Sequence, residues 1–262
     1  MCQKQFFLIL VILFSYSCTR KEVEPFEIKD TKTGNKIIAS GIIKGKDTIL
    51  QGQFLIYNKS KHLILKCNYK NNKVDGLAYS YNDNGVLKII CNMSNGYKEG
   101  KSTSYYENGT IRTIETYRKG TIYGNTISYY QNKQLDIYVL WDSLGRAMGE
   151  IKFDETGKIH SKEGKLVNCF LDTDRIKEGE KFKMDCLLAD IPNATRKVKF
   201  IYSDSSLGER KIQTTSVNYL KVEELKYKKG KNVLYVIVEY QFNQKYFNQV
   251  LKDTAFVRYS VK

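Results

Sequence analysis

An internal repeat of constant length is the feature of this sequence that most restricts its fold. Gly52, Gly76, Gly100 and Gly124 recur at one fixed interval, and Gly149 follows one residue late. The same spacing relates four tyrosines, namely Tyr57, Tyr81, Tyr105 and Tyr129. Asn-Gly pairs such as Asn84-Gly85 separate the apolar stretches, and this pattern is typical of β-hairpins because both residues tolerate positive φ. The sequence therefore predicts an array of hairpins, each packing mainly on its neighbours.

The second half of each repeat alternates with a period of two. Leu87, Ile89, Cys91 and Met93 fall on one face of a strand, and Leu135 to Trp141 repeats the pattern. The opposite face alternates less cleanly, because polar residues there flank Ile90 and Ile114. One face is thus expected to be buried or stacked and the other mostly solvated. We predict a single-layer antiparallel meander of β-hairpin repeats over residues 34–164.

The periodicity stops near Lys165, and residues 165–262 contain seven short apolar segments instead. They begin with KLVNCFLD and end with DTAFVRYSVK, at the close spacing that is typical of a β-sandwich. We predict an immunoglobulin-like sandwich here, although the Cys-Trp-Cys signature is absent because the single tryptophan, Trp141, lies in the repeats. The predicted fold class of the whole chain is all-β.

The N-terminus has the features of an export signal. Nine consecutive apolar residues, Phe6 to Phe14, are too few to span a bilayer. Ser15-Tyr16-Ser17-Cys18 follows and resembles the lipobox of bacterial lipoproteins, which implies a signal peptide over residues 1–17 and lipid on Cys18. Ordinary cleaved secretion is the alternative. Residues 18–33 are charged and are predicted to be a tether. Thr19, rather than Asp, follows the cysteine, which favours the outer over the inner membrane by the rule that the resemblance suggests.

The repeats themselves resemble a known family. Tyr-Tyr-Glu-Asn-Gly-Thr-Ile at 105–111, with Gly100 before it and Tyr117 after it, is similar to the MORN-variant repeat of bacterial proteins that often carry an antitoxin-type label. The resemblance covers residues 52–158, and the turns at Ser60-Lys61 and Asn132-Lys133 depart from Asn-Gly. It implies a β-hairpin ribbon that contacts protein or membrane.

The net charge and the absence of known motifs indicate which kinds of function are not expected. Without residues 1–17, which contain only Lys4, 42 basic and 28 acidic residues leave a net charge of +14. Only 8 of the 43 basic residues are arginine, and no recognition helix is predicted, so nucleic-acid binding is not expected. His62 and His160 have no ligand at metal-binding spacing, and no nucleophile elbow or phosphate-binding glycine loop occurs. We expect no enzyme activity, metal or cofactor.

The repeated tyrosines are the candidate binding residues. Tyr57, Tyr81, Tyr105 and Tyr129 should line up on one face of the sheet, with Tyr79 and Ile127 beside them. Such a row could bind a glycan or an extended peptide, because aromatic rings offer stacking area at low entropic cost. Alternatively, the rings pack on each other and only stabilise the sheet.

Four cysteines besides Cys18 follow the signal segment, and export would place them in an oxidising compartment. Cys67 and Cys91 hold the same position in adjacent repeats, about 9.5 Å apart across two strands, which is too far for a disulfide. Cys169 and Cys186 lie symmetrically about a predicted turn at 176–179 and would face each other in a regular hairpin. A disulfide between them and two buried free thiols both remain open.

Together these features predict an outer-membrane-anchored lipoprotein that acts as a non-catalytic binding or scaffolding module through its repeat surface. Its expected partners are the membrane, through lipid on Cys18, and a protein or an envelope polysaccharide. An antitoxin or immunity-type protein and a glycan-binding surface lipoprotein are the alternatives. The sequence identifies neither the ligand nor the side of the membrane.

Overall fold

The structure is a computed structural model that describes residues 22–44, 47–214, 219–224, 228–244 and 247–262. In these ranges the chain is all-β, without an α-helix and with one short 3-10 turn, η1 (Ser205–Leu207). The strands are β1 (Glu24–Lys29), β2 (Lys36–Lys44), β3 (Asp47–Tyr57), β4 (Leu63–Lys70), β5 (Lys73–Val74), β6 (Gly76–Tyr81), β7 (Leu87–Ser94), β8 (Tyr97–Tyr105), β9 (Ile111–Arg118), β10 (Thr121–Ile122), β11 (Gly124–Tyr129), β12 (Leu135–Trp141), β13 (Ala147–Phe153), β14 (Ile159–Gly164), β15 (Val167–Leu171), β16 (Arg175–Ile176), β17 (Phe182–Leu188), β18 (Ala194–Tyr202), β19 (Glu209–Thr214), β20 (Tyr219–Glu224), β21 (Gly230–Gln244) and β22 (Phe247–Val261).

Strands β1 to β14 form one large antiparallel sheet, the repeat sheet, in which consecutive long strands are neighbours. The short strands β5 and β10 pair only with β4 and β9. The hairpin meander that the sequence predicts is thereby confirmed. The main cluster of buried apolar side chains begins at Leu135, with Ile127 and Tyr129 packed against it, and takes no residue from β1 to β9. These first nine strands therefore form a single layer.

Three-residue loops connect the two strands of each hairpin along one edge of the repeat sheet. Here an edge is the side formed by the strand ends and their loops, not an outermost strand. In the loop after β6, the Gly85 amide donates to the Asn82 carbonyl and the Asn82 amide donates to the Val86 carbonyl. Only the third loop residue has positive φ, as expected of a type I turn followed by a bulge. The residues at this position are Lys61, Gly85, Gly109, Lys133 and Gly157, and Gly145 has it in a loop of the same kind at the other edge, between β12 and β13. The loops that depart from Asn-Gly at Lys61 and Lys133 thus keep the same backbone.

Two-residue loops close the other edge of the sheet in the first three repeats. Asn71-Asn72, Asn95-Gly96 and Lys119-Gly120 have positive φ at both positions, as a type I′ turn requires. Asn84-Gly85 lies in a hairpin loop as predicted, but the expectation of positive φ at both of its residues was wrong. In its three-residue loop only Gly85 needs the left-handed conformation, because the bulge adjusts the twist of the strands.

The N-terminal boundary of the sheet also differs from the prediction, which placed residues 18–33 in a tether. Strand β1 covers Glu24–Lys29 and pairs along its whole length with β2, so that Phe26 lies opposite Ala39 and Ile28 opposite Ile37. Phe26 and Ile28 alternate with Glu27 and Lys29, but two apolar residues are too short a pattern to identify a strand from the sequence. Backbone pairing with a neighbouring strand stabilises this segment without needing a strongly apolar face.

Residues from Val167 onward form a C-terminal unit of two sheets. The first has the strand order β15-β17-β20 and the second has the order β16-β22-β21-β18-β19. Phe182 and Met184 of the first sheet and Val198, Phe200 and Val236 of the second belong to one buried core. Each of the seven segments predicted as strands contains a strand within its described residues, and β16, which the prediction lacks, pairs in parallel with β22.

The link between β15 and β17 is not the tight turn expected at residues 176–179. Arg175–Ile176 instead joins the other sheet as β16, because the Ile176 side chain is buried in the common core. The register of β15 and β17 nevertheless places Cys169 opposite Cys186, and the two are joined by a disulfide. Cys67 and Cys91 are free and buried.

Candidate binding surface

The four repeat tyrosines occupy equivalent positions, each at the end of the first strand of its hairpin and just before the three-residue loop. A leucine or isoleucine of the second strand lies opposite each tyrosine, next to a shift in register. The pairs are Tyr57 with Leu63, Tyr81 with Leu87, Tyr105 with Ile111, and Tyr129 with Leu135. Because the strands are successive neighbours, these eight residues form a continuous row, which we call the apolar stripe.

A fifth pair, Phe153 with Ile159, continues the apolar stripe onto β13 and β14 with the same shift in register. Sequence reasoning missed this pair, because phenylalanine replaces tyrosine and Gly149 falls one residue late. The signal was present, since Phe153 follows Tyr129 by the same interval that separates Tyr129 from Tyr105.

The exposure of the apolar stripe falls along its length. Tyr57, Tyr81 and Tyr105 are half-buried, and Ile111 is 39% exposed, whereas Leu135 and Phe153 are only 6% and 2% exposed. Tyr129 stands at the transition, where it packs against the buried cluster, and burial raises the pKa of its hydroxyl. The stripe thus has an open part, from Tyr57 to Ile111, and a covered part that begins at Tyr129.

The C-terminal unit covers the end of the stripe through its five-stranded sheet. The ring of Phe242 meets that of Phe153 edge-on, with 5.8 Å between centroids. The Ile159 amide donates to Oε1 of Gln249 at 3.0 Å. On strand β12, the fully buried Tyr138 accepts the Asp190 amide at its hydroxyl oxygen, 2.8 Å away. Burial raises the pKa of the Tyr138 hydroxyl well above its usual value.

A carboxylate accompanies these apolar contacts. Asp253, on β22, is 6% exposed and accepts the Leu166 amide. Its Oδ1 atom also lies 3.3 Å from Nζ of Lys162 and 3.7 Å from Nζ of Lys165, both near the end of the repeat sheet. The covering unit therefore pairs the cations beside the surface that it buries.

Shallow concavities follow the open part of the stripe from one repeat to the next. Each lies between the tyrosine of one repeat and the strand or loop of the repeat before it. One is lined by Gly109, Ile111, Tyr129 and Lys133, and another by Leu87, Lys88, Tyr105, Tyr106 and Arg112. A third, beside Tyr57, is lined by Lys36, Ile38 and Lys61. Each therefore combines an aromatic ring, an aliphatic side chain and at least one cation.

The stripe tyrosines do not stack on each other. Ring contacts in the described part of the chain include Phe54 with Tyr69 and Phe182 with Tyr259, and none joins two of Tyr57, Tyr81, Tyr105 and Tyr129. Instead, an aliphatic residue stands between successive rings in the order of the strands. This arrangement leaves ring surface available at Tyr57, Tyr81 and Tyr105.

Hydrogen bonds between repeats fix the edge that carries the stripe. The Tyr106 hydroxyl donates to the Tyr129 carbonyl at 2.8 Å, and the Tyr130 hydroxyl donates to the Phe153 carbonyl at 2.7 Å. In an earlier loop, Nδ2 of Asn58 donates to the Asp83 carbonyl at 2.7 Å. These three loops are thereby attached to the next repeat, which holds the stripe in a defined spacing.

Other candidate residues lie apart from the stripe. Cys18 falls outside the described residues, and the Cys169–Cys186 disulfide is in the C-terminal unit. Ring nitrogen Nδ1 of His62 lies 2.9 Å from the Asp83 carbonyl in a surface loop. Across the described ranges, no three His, Cys, Asp or Glu side chains are grouped so as to hold a metal ion. The same ranges contain no helix long and apolar enough to cross a membrane.

Comparison with known proteins gives one result that agrees with this geometry. No curated protein matches the chain significantly. Residues 74–95 and 98–119, which carry the central part of the open stripe, match the family model of the MORN repeat variant. MORN repeats suggest a binding or scaffolding role. These two segments, running from β5 to the end of β9, are therefore MORN-variant repeats.

Proposed function

We propose that this protein is a non-catalytic binding or scaffolding module of the bacterial cell envelope, and that it holds a partner protein on the open part of the apolar stripe. One observation carries the proposal. The stripe is continuous, its covered end is a protein contact within this chain, and the same row of residue types continues, partly exposed, from Ile111 back to Tyr57. Tyrosine and arginine, both present here, are the residue types that most often dominate protein interfaces.

The proposal includes anchoring by lipid on Cys18, after removal of residues 1–17, with the outer membrane favoured. Strand β1 begins at Glu24, so only a short segment separates the lipid-bearing cysteine from the sheet. An extended chain of this length reaches about 20 Å. The stripe would therefore work close to the membrane surface.

Subcellular fractionation tests the anchor. The Cys18→Ala variant should lose the lipid and leave the membrane fraction, whereas Cys67→Ala, which changes a buried thiol, should stay there. If Cys18→Ala fractionates with membrane as tightly as the wild type, the anchoring proposal fails.

Cross-linking in the native envelope tests the binding surface. Tyr81→Ala combined with Tyr105→Ala removes two adjacent rings from the open stripe and should abolish the principal cross-linked product. Tyr97→Ala is the control, because Tyr97 is 59% exposed and lies in the two-residue loop region at the opposite edge. Equal cross-linking by the wild type and the double variant would contradict the proposal.

A glycan-binding surface lipoprotein is the second candidate, favoured by the concavities that combine a tyrosine with lysine or arginine. Envelope polysaccharide should then bind the wild type, and Tyr105→Ala with Tyr129→Ala should abolish that binding. Because Tyr129 also packs on the core, Tyr105→Ala with Tyr81→Ala is the cleaner pair. An antitoxin-type role would place a toxin on the same stripe, and a toxin gene beside this one would favour it.

For the C-terminal unit we propose the immunoglobulin-like topology. Its sheet orders, β15-β17-β20 and β22-β21-β18, correspond to the A-B-E and G-F-C orders of that fold. The disulfide joins the first two strands of one sheet rather than the two sheets. In this proposal the unit caps the repeat sheet and rigidifies the stripe.

A further inference from the structure

We propose that the partner of the open stripe is a protein segment in extended conformation that carries both aromatic or apolar and acidic side chains on the face that it turns to the stripe. The inference rests on the proposed function and names the chemistry of its partner. The chain itself supplies the template, since its own C-terminal unit covers the far end of the same stripe.

The contact between the C-terminal unit and the covered part of the stripe combines three kinds of interaction. An aromatic ring, Phe242, packs against the stripe at Phe153. A side-chain amide, Gln249, accepts a backbone amide of the last hairpin. A carboxylate, Asp253, pairs with Lys162 and Lys165. Phe242 lies opposite Gln249, and Asp253 follows Gln249 by four positions, so the antiparallel strands β21 and β22 present all three side chains on one face of extended chain.

The open part of the stripe has the aromatic rings and the cations of this arrangement, but not the groups that cover them. Lys66 lies opposite Leu55 and Tyr79, and therefore shares the face of the tyrosines two positions further along those strands. Its ammonium group lies 5.7 Å from the centroid of the Tyr79 ring. A cation thus lies beside the row of rings, and no ion pair joins it to a carboxylate in the described part of the chain.

Two further cations, Lys88 and Arg112, line the same concavity as Leu87 and Tyr105. The Arg112 guanidinium lies 5.7 Å from the centroid of the Tyr106 ring. Within the described residues, neither these two cations nor Lys66 takes part in an ion pair.

Acidic residues are scarce on this part of the sheet. Strands β4, β6 and β7 contain no carboxylate. On β8 and β9, the Glu99 carboxylate accepts the Lys119 amide and Glu115 accepts the Tyr117 hydroxyl, so each has a partner within the sheet. Glu107, in the loop that follows β8, is the acidic residue that lines the concavity of Arg112. Cations without an ion pair beside an apolar row favour a partner that brings both apolar and acidic groups.

Short labelled peptides provide the test on the full mature chain. The Asp-Phe peptide, Phe-Ser-Asp-Ser-Phe-Ser-Asp-Ser, carries phenylalanine and aspartate on one face of an extended strand. It should bind at least about tenfold more tightly than the Lys-Phe peptide, in which lysine replaces aspartate, or the Asp-Ser peptide, in which serine replaces phenylalanine, as measured by fluorescence anisotropy. Lys88→Glu with Arg112→Glu should reverse the preference between Asp-Phe and Lys-Phe. Lys73→Glu, an exposed charge reversal at the opposite edge of the sheet, should leave it unchanged.

Several outcomes would overturn the inference. Equal binding of Asp-Phe and Asp-Ser would show attraction by charge alone, and equal binding by the charge-reversed variant would show that the cations are not used. Binding of polygalacturonate in place of every peptide would identify an anionic polysaccharide instead. If the native cross-link is lost in Tyr81→Ala with Tyr105→Ala but persists in Lys88→Glu with Arg112→Glu, the proposed function stands and this inference fails.

Discussion

At the scale of single residues, the third position of each three-residue loop has a left-handed backbone whichever residue occupies it. Glycine adopts this conformation without cost, whereas Lys61 and Lys133 adopt it at φ 62° and 68°. No atom lies within 4 Å of the position that a Cβ atom would take at Gly109. Substitution there therefore tests backbone conformation rather than packing.

We expect Gly109→Val to lower the free energy of unfolding by about 1–3 kcal/mol, because a β-branched residue is strained at positive φ. Gly109→Asn should cost less, and Lys133→Gly should be neutral or stabilising by about 0.5–1 kcal/mol. Urea denaturation measures all three. If Gly109→Val unfolds at the same urea concentration as the wild type, Gly109 does not have the left-handed backbone conformation.

Tyr117 predicts a dependence of stability on alkaline pH. Burial, followed by the hydrogen bond that its hydroxyl donates to Glu115, raises the pKa of Tyr117 to about 12 from the ordinary value of 10.0. The folded state thus retains a proton that the unfolded state loses, so the stabilisation is complete below pH 10 and is lost as the pH rises toward 12. Melting temperatures of Tyr117→Phe should fall less steeply over this range than those of the wild type. Parallel curves would contradict the assignment.

At the scale of structural elements, the same contacts recur in each of the first three repeats and hold its two-residue loop. At the edge with two-residue loops, a side-chain oxygen of one repeat accepts a loop amide of the same repeat. Gln51 accepts the Asn71 amide, Asp75 accepts the Asn95 amide and Glu99 accepts the Lys119 amide. The loop amides of Asn72, Gly96 and Gly120 donate to the Leu50, Val74 and Lys98 carbonyls. Repeated side-chain acceptors thus take the place of a second layer in fixing these loops.

Glu99→Ala should expose the Lys119 amide, whose bond to the Glu99 carboxylate is the shortest of these side-chain contacts at 2.7 Å. We expect faster hydrogen exchange at Lys119 and a loss of about 1 kcal/mol in stability. Glu107→Ala, at an exposed position of the other edge, serves as the control and should change neither. Unchanged exchange at Lys119 would mean that the carboxylate does not hold the loop.

At the scale of the whole molecule, the repeat sheet and the C-terminal unit share one buried cluster that extends from Leu135 to Val261. The last two hairpins gain a second layer from this contact, whereas β1 to β9 do not. The chain therefore combines a cored body with a single-layer extension, and the apolar stripe runs from one into the other.

Phe242→Ala tests this shared core. Phe242 is 2% exposed and meets Phe153, so truncation should cost about 3–5 kcal/mol and accelerate hydrogen exchange in β13 and β14. Phe256→Ala, on the outer side of the same sheet and 50% exposed, should be nearly neutral. If β13 and β14 exchange at the wild-type rate in Phe242→Ala, the C-terminal unit does not cover the repeat sheet.

Much of the fold could be predicted because the same sequence pattern, and hence the same local structure, occurs several times in the chain. The spacing of Gly76 and Tyr81 in successive units indicated the hairpins and the row of tyrosines. The two loop types could not be separated, since Asn84-Gly85 and Asn95-Gly96 have the same letters and differ only in the register of the flanking strands.

The covered end of the stripe could not be predicted for a different reason. It depends on long-range contacts, such as that between Ile159 and Gln249, which leave no periodic signal. The same holds for β16, a two-residue strand that exists because its partner β22 is nearby. Only the regular spacing of Phe153 from Tyr129 could have extended the row, and without the fold that spacing does not reveal what covers it.

Site-specific photo-crosslinking tests the central claim, that one face binds the protein's own C-terminal unit at one end and a partner at the other. A photoreactive residue is placed at Leu87, Leu135 or the 69% exposed Leu144 of the full chain in its native envelope. We predict a defined adduct with a second protein from position 87, an internal cross-link to β21 or β22 from position 135, and neither from position 144. The account would be contradicted if position 87 gave no more adduct with a second protein than position 144 does. It would also be contradicted if position 135 gave no cross-link to the C-terminal unit.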